Sequence, residues 1–265
     1  MGEPPPPAHL PGGLERNYRI RPNEADPFNE LKATALLDLL QDIAWEHASQ
    51  LGLSVTQLME RGQTWVLSRF HLSVFHPILQ GQRIRIRTWP VGVYRLFAIR
   101  DFDIWSESGQ CLGAATSGWL VLTWPELRPC RPDGLMDTVA THGERSIEDP
   151  FDTLPRVRHP AASVALTVRW NEIDINNHVN NTVYPLWAFE SLPESFHRGW
   201  RCREVEIQFT GMALPGDSVC VLRDAEPRDP ETHCLHQVNQ ADSGKELARI
   251  RTGWSPRTPG ENHSG

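Results

Sequence analysis

The sequence predicts an α+β protein made of two tandem copies of one unit, each an antiparallel sheet wrapped around a long central helix. Three features carry this expectation. Segments recur at a constant offset, each copy opens with a helical stripe followed by several β-rich runs, and a proline-rich stretch without periodicity lies between the copies. The stretch from Ser108-Gly109 to Gly118-Trp119 returns as Ser243-Gly244 to Gly253-Trp254, an offset of 135 residues. The same offset carries Leu79 and Gly81 onto Leu214 and Gly216, and Leu72 and Val74 onto Ile207 and Phe209. Upstream the offset becomes 148, where Asp26, Phe28, Glu30 and Leu31 match Asp174, Asn176, His178 and Val179.

In the first copy, Lys32 to Leu51 places Ala35, Leu36, Leu39, Leu40, Ile43 and Ala44 on a broad apolar stripe, and Gly52 follows as a stop. That predicts a buried helix. Trp65 to Phe75, Arg83 to Trp89, Leu96 to Trp105 and Cys111 to Thr123 are rich in β-branched and aromatic residues, and Pro77, Gly81, Gly92 and Ser108-Gly109 separate them. They read as strands. The second copy has a helix at about Thr182 to Leu192 and strands at about Arg203 to Phe209, Ser218 to Arg223, His233 to Asn239 and Leu247 to Trp254. The expected organisation is a disordered tail over 1–15, a first unit over 16–124, a linker over 125–163, a second unit over 164–255 and a disordered tail over 256–265.

Composition excludes several classes of function. With 39% hydrophobic content and ten tryptophans in 265 residues, the chain can bury two moderate cores. It holds no apolar run of about 18 residues and no basic and apolar leader, so neither a membrane span nor secretion is expected, and a cytoplasmic location follows by default. Five cysteines without CxxC pairs suit a reducing compartment rather than a disulfide framework. A net charge of −7 argues against nucleic acid as a partner.

The densest chemistry lies in RWNEIDINNHVNNTVYPLWAFE, Arg169 to Glu190. Asp174, Asn176 and His178 alternate, so in an extended segment all three side chains project to one side. Val179, Asn180 and Asn181 then lead into the apolar run of Val183, Leu186, Trp187 and Phe189, with Asn180 or Asn181 as the expected N-cap. Backbone N–H groups at such a helix start suit a developing oxyanion. The plainer alternative makes Asp174 a cap, His178 a core histidine and the asparagines turn formers. Other signatures are absent or weak: there is no GxSxG elbow, no phosphate-binding glycine loop and no GxGxxG. His233 and His236 stand three apart in an expected strand, facing opposite sides, so no metal site is expected. Cys202 and Cys220 read as inert strand cysteines.

These residues together resemble the acyl-(acyl carrier protein) thioesterases of bacteria and plants, which carry two hotdog units in one polypeptide. The likeness covers about residues 17 to 256. In the first copy it rests on LLQDIAWEHASQLG, on TWVLSRF at Thr64 to Phe70, on TWP at Thr88 to Pro90 and on RDFDIWSESG at Arg100 to Gly109. In the second it rests on RW followed by DINNHVNN and Tyr184. The resemblance implies that Asp174, Asn176 and His178 are the catalytic aspartate, asparagine and histidine, and that the first unit mainly shapes an acyl-chain tunnel. It implies an acyl carrier protein with its phosphopantetheine-linked chain as partner, no cofactor, and a monomer or homodimer of the double hotdog.

One departure stands out. The family's further catalytic glutamate, often followed by cysteine, falls on Met212 and Ala213 when anchored on Phe209 and Gly216-Asp217. Glu204 and Glu206 lie nearby but alternate with Val205 and Ile207, on the face opposite the expected core residues. The implied reaction is hydrolysis of a fatty acyl thioester by a positioned water, with His178 or Asp174 as base and the Val179 to Asn181 amides receiving the oxyanion. An acyl-coenzyme A thioesterase, a hotdog dehydratase and an acyl-binding module with little turnover are the alternatives, the last motivated by Met212. Because carrier proteins are acidic and this chain is too, docking calls for a local basic patch, and Arg83, Arg85 and Arg87 on one strand face are the candidate.

Overall fold

The computed structural model describes residues 12–137, 139–226, 229 and 233–257, and divides into two units between Phe151 and Asp152. In the first unit, strand β1 (Leu14–Arg19) and a single 3-10 turn (Pro22–Glu24) precede helix α1 (Ala33–Gln50) and the short α2 (Val55–Met59). Strands β2 (Gln63–Val74), β3 (Arg83–Tyr94), β4 (Phe97–Ser106), β5 (Cys111–Thr123) and β6 (Pro129–Cys130) follow, then the single-turn α3 (Asp133–Met136). The sheet order is β1-β3-β4-β5-β2, with β6 off β5, and every pairing is antiparallel.

Helix α1 forms where the apolar spacing places it. Leu36, Leu37, Leu39, Leu40, Ile43, Ala44 and His47 are its buried face, and α1 packs on β1 and β3. Leu40 and Ile43 are wholly buried, each worth about 1.5–3 kcal/mol against exposure. The helix stops at Gly52, whose φ of +72° glycine adopts without a Cβ penalty, while Leu53 returns its N–H to the Ala48 carbonyl at 2.9 Å. In β3, Ile84 and Ile86 are buried while Arg83 points to solvent, as strand alternation requires.

The second unit holds β7 (Ala162–Thr167), a 3-10 turn (Trp170–Glu172), α4 (Val183–Glu190), α5 (Glu194–Gly199), β8 (Trp200–Phe209), β9 (Ser218–Arg223), β10 (His233–Gln240) and β11 (Glu246–Pro256). Its sheet order is β8-β11-β10-β9-β7. Read from the other edge, this is the first unit's order with β7, β9, β10, β11 and β8 in place of β1, β3, β4, β5 and β2. The sequence repeat is therefore a repeat of topology. Helix α4 is shorter than expected: Pro193 stops the backbone ladder, and α5, which the apolar pattern did not suggest, turns the chain into β8. Phe196 of α5 stacks on Trp200 at 5.6 Å and meets Trp254 edge-on at 5.1 Å, closing a cluster with Leu192 and Cys234.

Three expectations need correction. Residues 125–163 were expected to lack regular structure, yet they contain β6 and α3 and begin β7. Leu135, Met136 and Val139 are buried against Leu53, Leu58, Ala98 and Val121, because one helical turn suffices to gather three apolar side chains from a proline-rich run. Arg145 and Ser146 bind the Asp101 carboxylate at 3.0 and 2.6 Å, tying this segment to β4. At the N-terminus, β1 begins at Leu14, inside the stretch expected to be disordered; residues 1–11 of that tail and 258–265 of the other lie outside the described residues. Pro256 of that second tail belongs to β11, and the Arg257 N–H bonds the Gly199 carbonyl at 2.8 Å. The third concerns Arg87, which is buried and forms a two-pronged pair with Asp103 while lying 5.4 Å over the Trp105 ring. A carboxylate on the neighbouring strand withdraws it from solvent, so the basic patch reduces to exposed Arg83 and to Arg85, which faces Glu15 at 3.7 Å.

Candidate active site

Asp174, Asn176 and His178 sit in a tight turn, not in an extended segment. The Asp174 N–H bonds the His178 carbonyl at 2.8 Å, the Asn177 N–H bonds the Asp174 carbonyl at 3.1 Å, and Ile173 bridges Val179. Asn177 takes the left-handed conformation, φ +60°, which asparagine tolerates better than most residues. Asp174 and His178 are therefore brought together as the paired ends of a closed turn. The Asp174 carboxylate accepts the Asn176 amide N–H at 2.8 Å and its side-chain Nδ2 at 3.1 Å, fixing the asparagine. The imidazole of His178 is half-buried and has no hydrogen-bond partner among the described residues.

Backbone anchors hold this turn to its unit. Glu172 takes the Arg169 N–H at 2.7 Å and the Trp187 indole N–H at 3.2 Å on its carboxylate, and its carbonyl receives the Asn180 N–H at 2.9 Å. The Val179 N–H bonds the Ala213 carbonyl at 3.1 Å, and the Ala213 N–H bonds the Tyr184 hydroxyl oxygen at 2.9 Å. Burial pushes the Tyr184 phenol up to about 12, so it remains protonated at neutral pH.

These bonds correct the oxyanion expectation. The amides of Val179 and Asn180 are already committed to protein carbonyls, because the chain must be stapled on both sides of the turn to close it. Asn181 alone of the three has an N–H with no acceptor among the described residues. The assigned N-cap of α4 is Thr182, without a side-chain cap of its own; Asn180 Oδ1 accepts the Thr182 N–H at 3.1 Å one step earlier.

The first unit carries the same turn without the same chemistry. The Asp26 N–H bonds the Glu30 carbonyl at 2.7 Å, Asn29 bonds the Asp26 carbonyl at 3.0 Å with φ +67°, and the Phe28 N–H bonds the Asp26 carboxylate at 2.9 Å. The Leu31 N–H bonds the Ile78 carbonyl at 2.7 Å, as Val179 bonds Ala213, and Lys32 bonds the Glu24 carbonyl at 2.9 Å, as Asn180 bonds Glu172. A sequence signal for these anchors exists and was missed: Arg21-Pro-Asn-Glu24 and Arg169-Trp-Asn-Glu172 match at the same offset as the turns.

Met212 is 44% exposed beside the Ala213 anchor, so a polar side chain at that position would reach the solvent near the turn. Glu204 pairs with His233 at 2.8 Å and Glu206 with Arg251, on the face opposite buried Val205 and Ile207. His236 lies on the buried face of β10, its ring nitrogens at 3.2 Å from Ser191 Oγ and 3.1 Å from Thr252 Oγ1. Burial, with Arg223 nearby, pushes its pKa down to about 3, so it is a neutral structural histidine. Burial raises the thiol of Cys202 to about 12 and that of Cys234 as well, which makes both poor nucleophiles.

Comparison with known proteins concerns the chain as a whole. Residues 13–133 match the model of the acyl-ACP thioesterase N-terminal domain, and residues 158–256 that of the C-terminal domain. The dodecanoyl-[acyl-carrier-protein] hydrolase of Umbellularia californica is 25% identical over 269 residues, 92% of this chain and 68% of that protein. The palmitoyl-acyl carrier protein thioesterase of Arabidopsis thaliana is 23% identical over 272 residues, 93% of this chain and 65% of that one. The chain thus spans about two thirds of the length of the curated relatives it matches. Among solved structures, an acyl-ACP thioesterase from Bacteroides thetaiotaomicron superposes with a TM-score of 0.81 at 24% identity, covering 92% of this chain and 98% of that one. The 12:0-ACP thioesterase from Umbellularia californica gives 0.83 at 22% identity, covering 92% and 98%. These likenesses establish the double hotdog fold.

Proposed function

The chain belongs to the acyl-ACP thioesterase family, and from that membership we propose that it hydrolyses fatty acyl thioesters carried by acyl carrier protein, releasing the free fatty acid. The names of its relatives support the substrate class. The observation that carries the residue roles is the turn itself, which holds the unpartnered His178 imidazole two residues after an asparagine fixed by the Asp174 carboxylate.

In this reading His178 takes a proton from water as the water oxygen attacks the thioester carbonyl carbon. The free imidazole favours His178 over Asp174 as base, because both Asp174 oxygens already accept from Asn176. The second Nδ2 hydrogen of Asn176 and the Asn181 N–H stabilise the oxyanion, the C–S bond breaks, and the histidinium returns its proton to the departing thiolate. A thioester is activated enough for this without a covalent enzyme intermediate. No helix of the described residues is long and apolar enough to cross a membrane.

Met212, where the family places a glutamate, favours a second reading: an acyl-binding module with slow turnover. Thiol release from acyl carrier protein and coenzyme A thioesters of medium and long chains decides between them. Rapid release from carrier substrates supports the hydrolase; release from coenzyme A substrates alone redirects it to that class; tight binding without release supports the module.

A further inference from the structure

Two exposed side chains at the reactive turn are not the ones its backbone favours. The Asn177 N–H on the Asp174 carbonyl at 3.1 Å, followed by the left-handed Asn177 itself, is the pattern of a type I turn with a bulge. The second position of such a turn favours proline. In the first unit, whose turn closes by the same bonds, Pro27 stands there; in the second it is Ile175, 88% exposed. The 3-10 turn just upstream repeats the contrast. Its first residue is another site that suits proline, and it is Pro22 in the first unit but Trp170 in the second, 80% exposed.

The fold gains little from either departure. Proline at a compatible position stabilises by restricting the unfolded chain, whereas an apolar side chain left in water forgoes the burial that would reward it. Only the copy that carries Asp174, Asn176 and His178 gives up both prolines. Trp170 is tied to the turn through its carbonyl, which takes the Ile173 N–H at 3.2 Å. Ile175 lies between Asp174 and Asn176, so a thioester delivered to His178 comes within its reach. The Ile175 N–H and carbonyl make no hydrogen bond among the described residues. An apolar side chain beside an unused donor and acceptor suits a ligand that alternates hydrocarbon with amide groups. A plain acyl chain would leave those backbone groups unmatched.

We propose that Ile175 and Trp170 form the landing surface for the pantetheine arm of the substrate, packing on its dimethyl and methylene groups while the Ile175 backbone meets its amides. The inference rests on the reading that the turn holding His178 hydrolyses thioesters. Carrier protein and coenzyme A both present this arm, so its recognition is common to the two.

Giving the second unit the first unit's residues, Trp170→Pro/Ile175→Pro, tests the surface. The substrates are decanoyl pantetheine and decanoyl N-acetylcysteamine, whose shortened arm lacks the dimethyl group. The variant is expected to melt at or above the wild-type temperature, to raise KM for the pantetheine thioester about ten-fold with kcat little changed, and to leave KM for the truncated thioester unaltered. Should it fail to fold, as circular dichroism would show, Trp170→Ser/Ile175→Ser carries the same comparison. Equal effects on the two thioesters, or on neither, overturn the arm as the occupant. Decanoyl carrier protein and decanoyl coenzyme A separate the sources. A rise in KM for both supports the shared arm, whereas a rise for the carrier substrate alone, with the pantetheine thioester indifferent, assigns the surface to the carrier's protein body and overturns the proposal. Calorimetric titration of S-decyl pantetheine, a thioether that cannot be hydrolysed, should show the same loss of affinity in the variant. That loss in a chain that cleaves no thioester would leave the landing surface standing and remove the hydrolase reading instead.

Discussion

The N–H of Ala213 donates to the hydroxyl oxygen of Tyr184 at 2.9 Å, and the carbonyl of the same Ala213 receives the N–H of Val179, next to His178. A buried phenol on α4 thus holds the segment that staples the reactive turn. Tyr184→Phe removes the acceptor while keeping the ring packing against Trp187 and Phe209. The expected cost is about 1–3 kcal/mol of stability for a stranded buried N–H. As a positioning residue it should also lower kcat more than it raises KM, and an unchanged kcat would confine Tyr184 to packing.

Asp174→Asn keeps the size of the side chain but weakens its grip on the Asn176 amides. We expect a loss of thioester hydrolysis of roughly 10²-fold or more with circular dichroism unchanged. Wild-type turnover in this variant would show that the Asp174–Asn176 contact has no bearing on the chemistry.

Met212→Glu should fold, since the side chain it replaces is 44% exposed. Hydrolysis is expected to hold or rise as a fourth polar group joins the site. A melting temperature several degrees lower, with activity lost, would place Met212 in packing that its exposure does not suggest.

The arginines of β3 separate by experiment. Arg87→Met leaves the buried Asp103 carboxylate unpaired and should cost about 3–5 kcal/mol in urea denaturation. The double variant Arg83→Glu/Arg85→Glu should leave stability nearly unchanged and raise KM for carrier-protein substrates, with short soluble thioesters unaffected. Equal KM changes for both substrate types would remove this edge as a docking surface.

Acid should reveal His236. Its folded pKa is pushed below the unfolded value of 6.5 to about 3, so the unfolded state binds the proton first. Its contribution to stability is full above about pH 6.5 and is lost as pH falls toward the folded value. Chemical denaturation of wild type and His236→Gln between pH 7 and pH 4 should show the steeper decline in wild type. Parallel declines would assign acid sensitivity to other groups.

Much of this was legible in the sequence because repeats and periodicity report on backbone and core. The offset of 135 residues between Gly109 and Gly244 foreshadowed two units of matching strand order. Alternation misled where local hydrogen bonding overrides it. Asp174, Asn176 and His178 look like one strand face, but an Asx turn at Asp174 and a left-handed Asn177 fold them back. Arg87 looked exposed because sequence alternation cannot disclose Asp103 on the next strand. The amides of Val179 and Asn180 looked free because their acceptors, Ala213 and Glu172, lie elsewhere in the chain.

The most direct measurement is thiol release from dodecanoyl acyl carrier protein by wild type and by His178→Ala, with circular dichroism of both. The account predicts steady release by wild type and a fall of roughly 10²- to 10⁴-fold in the variant, with an unchanged spectrum. Equal release by the two proteins would contradict the role of His178, and no release by wild type would contradict the thioesterase itself.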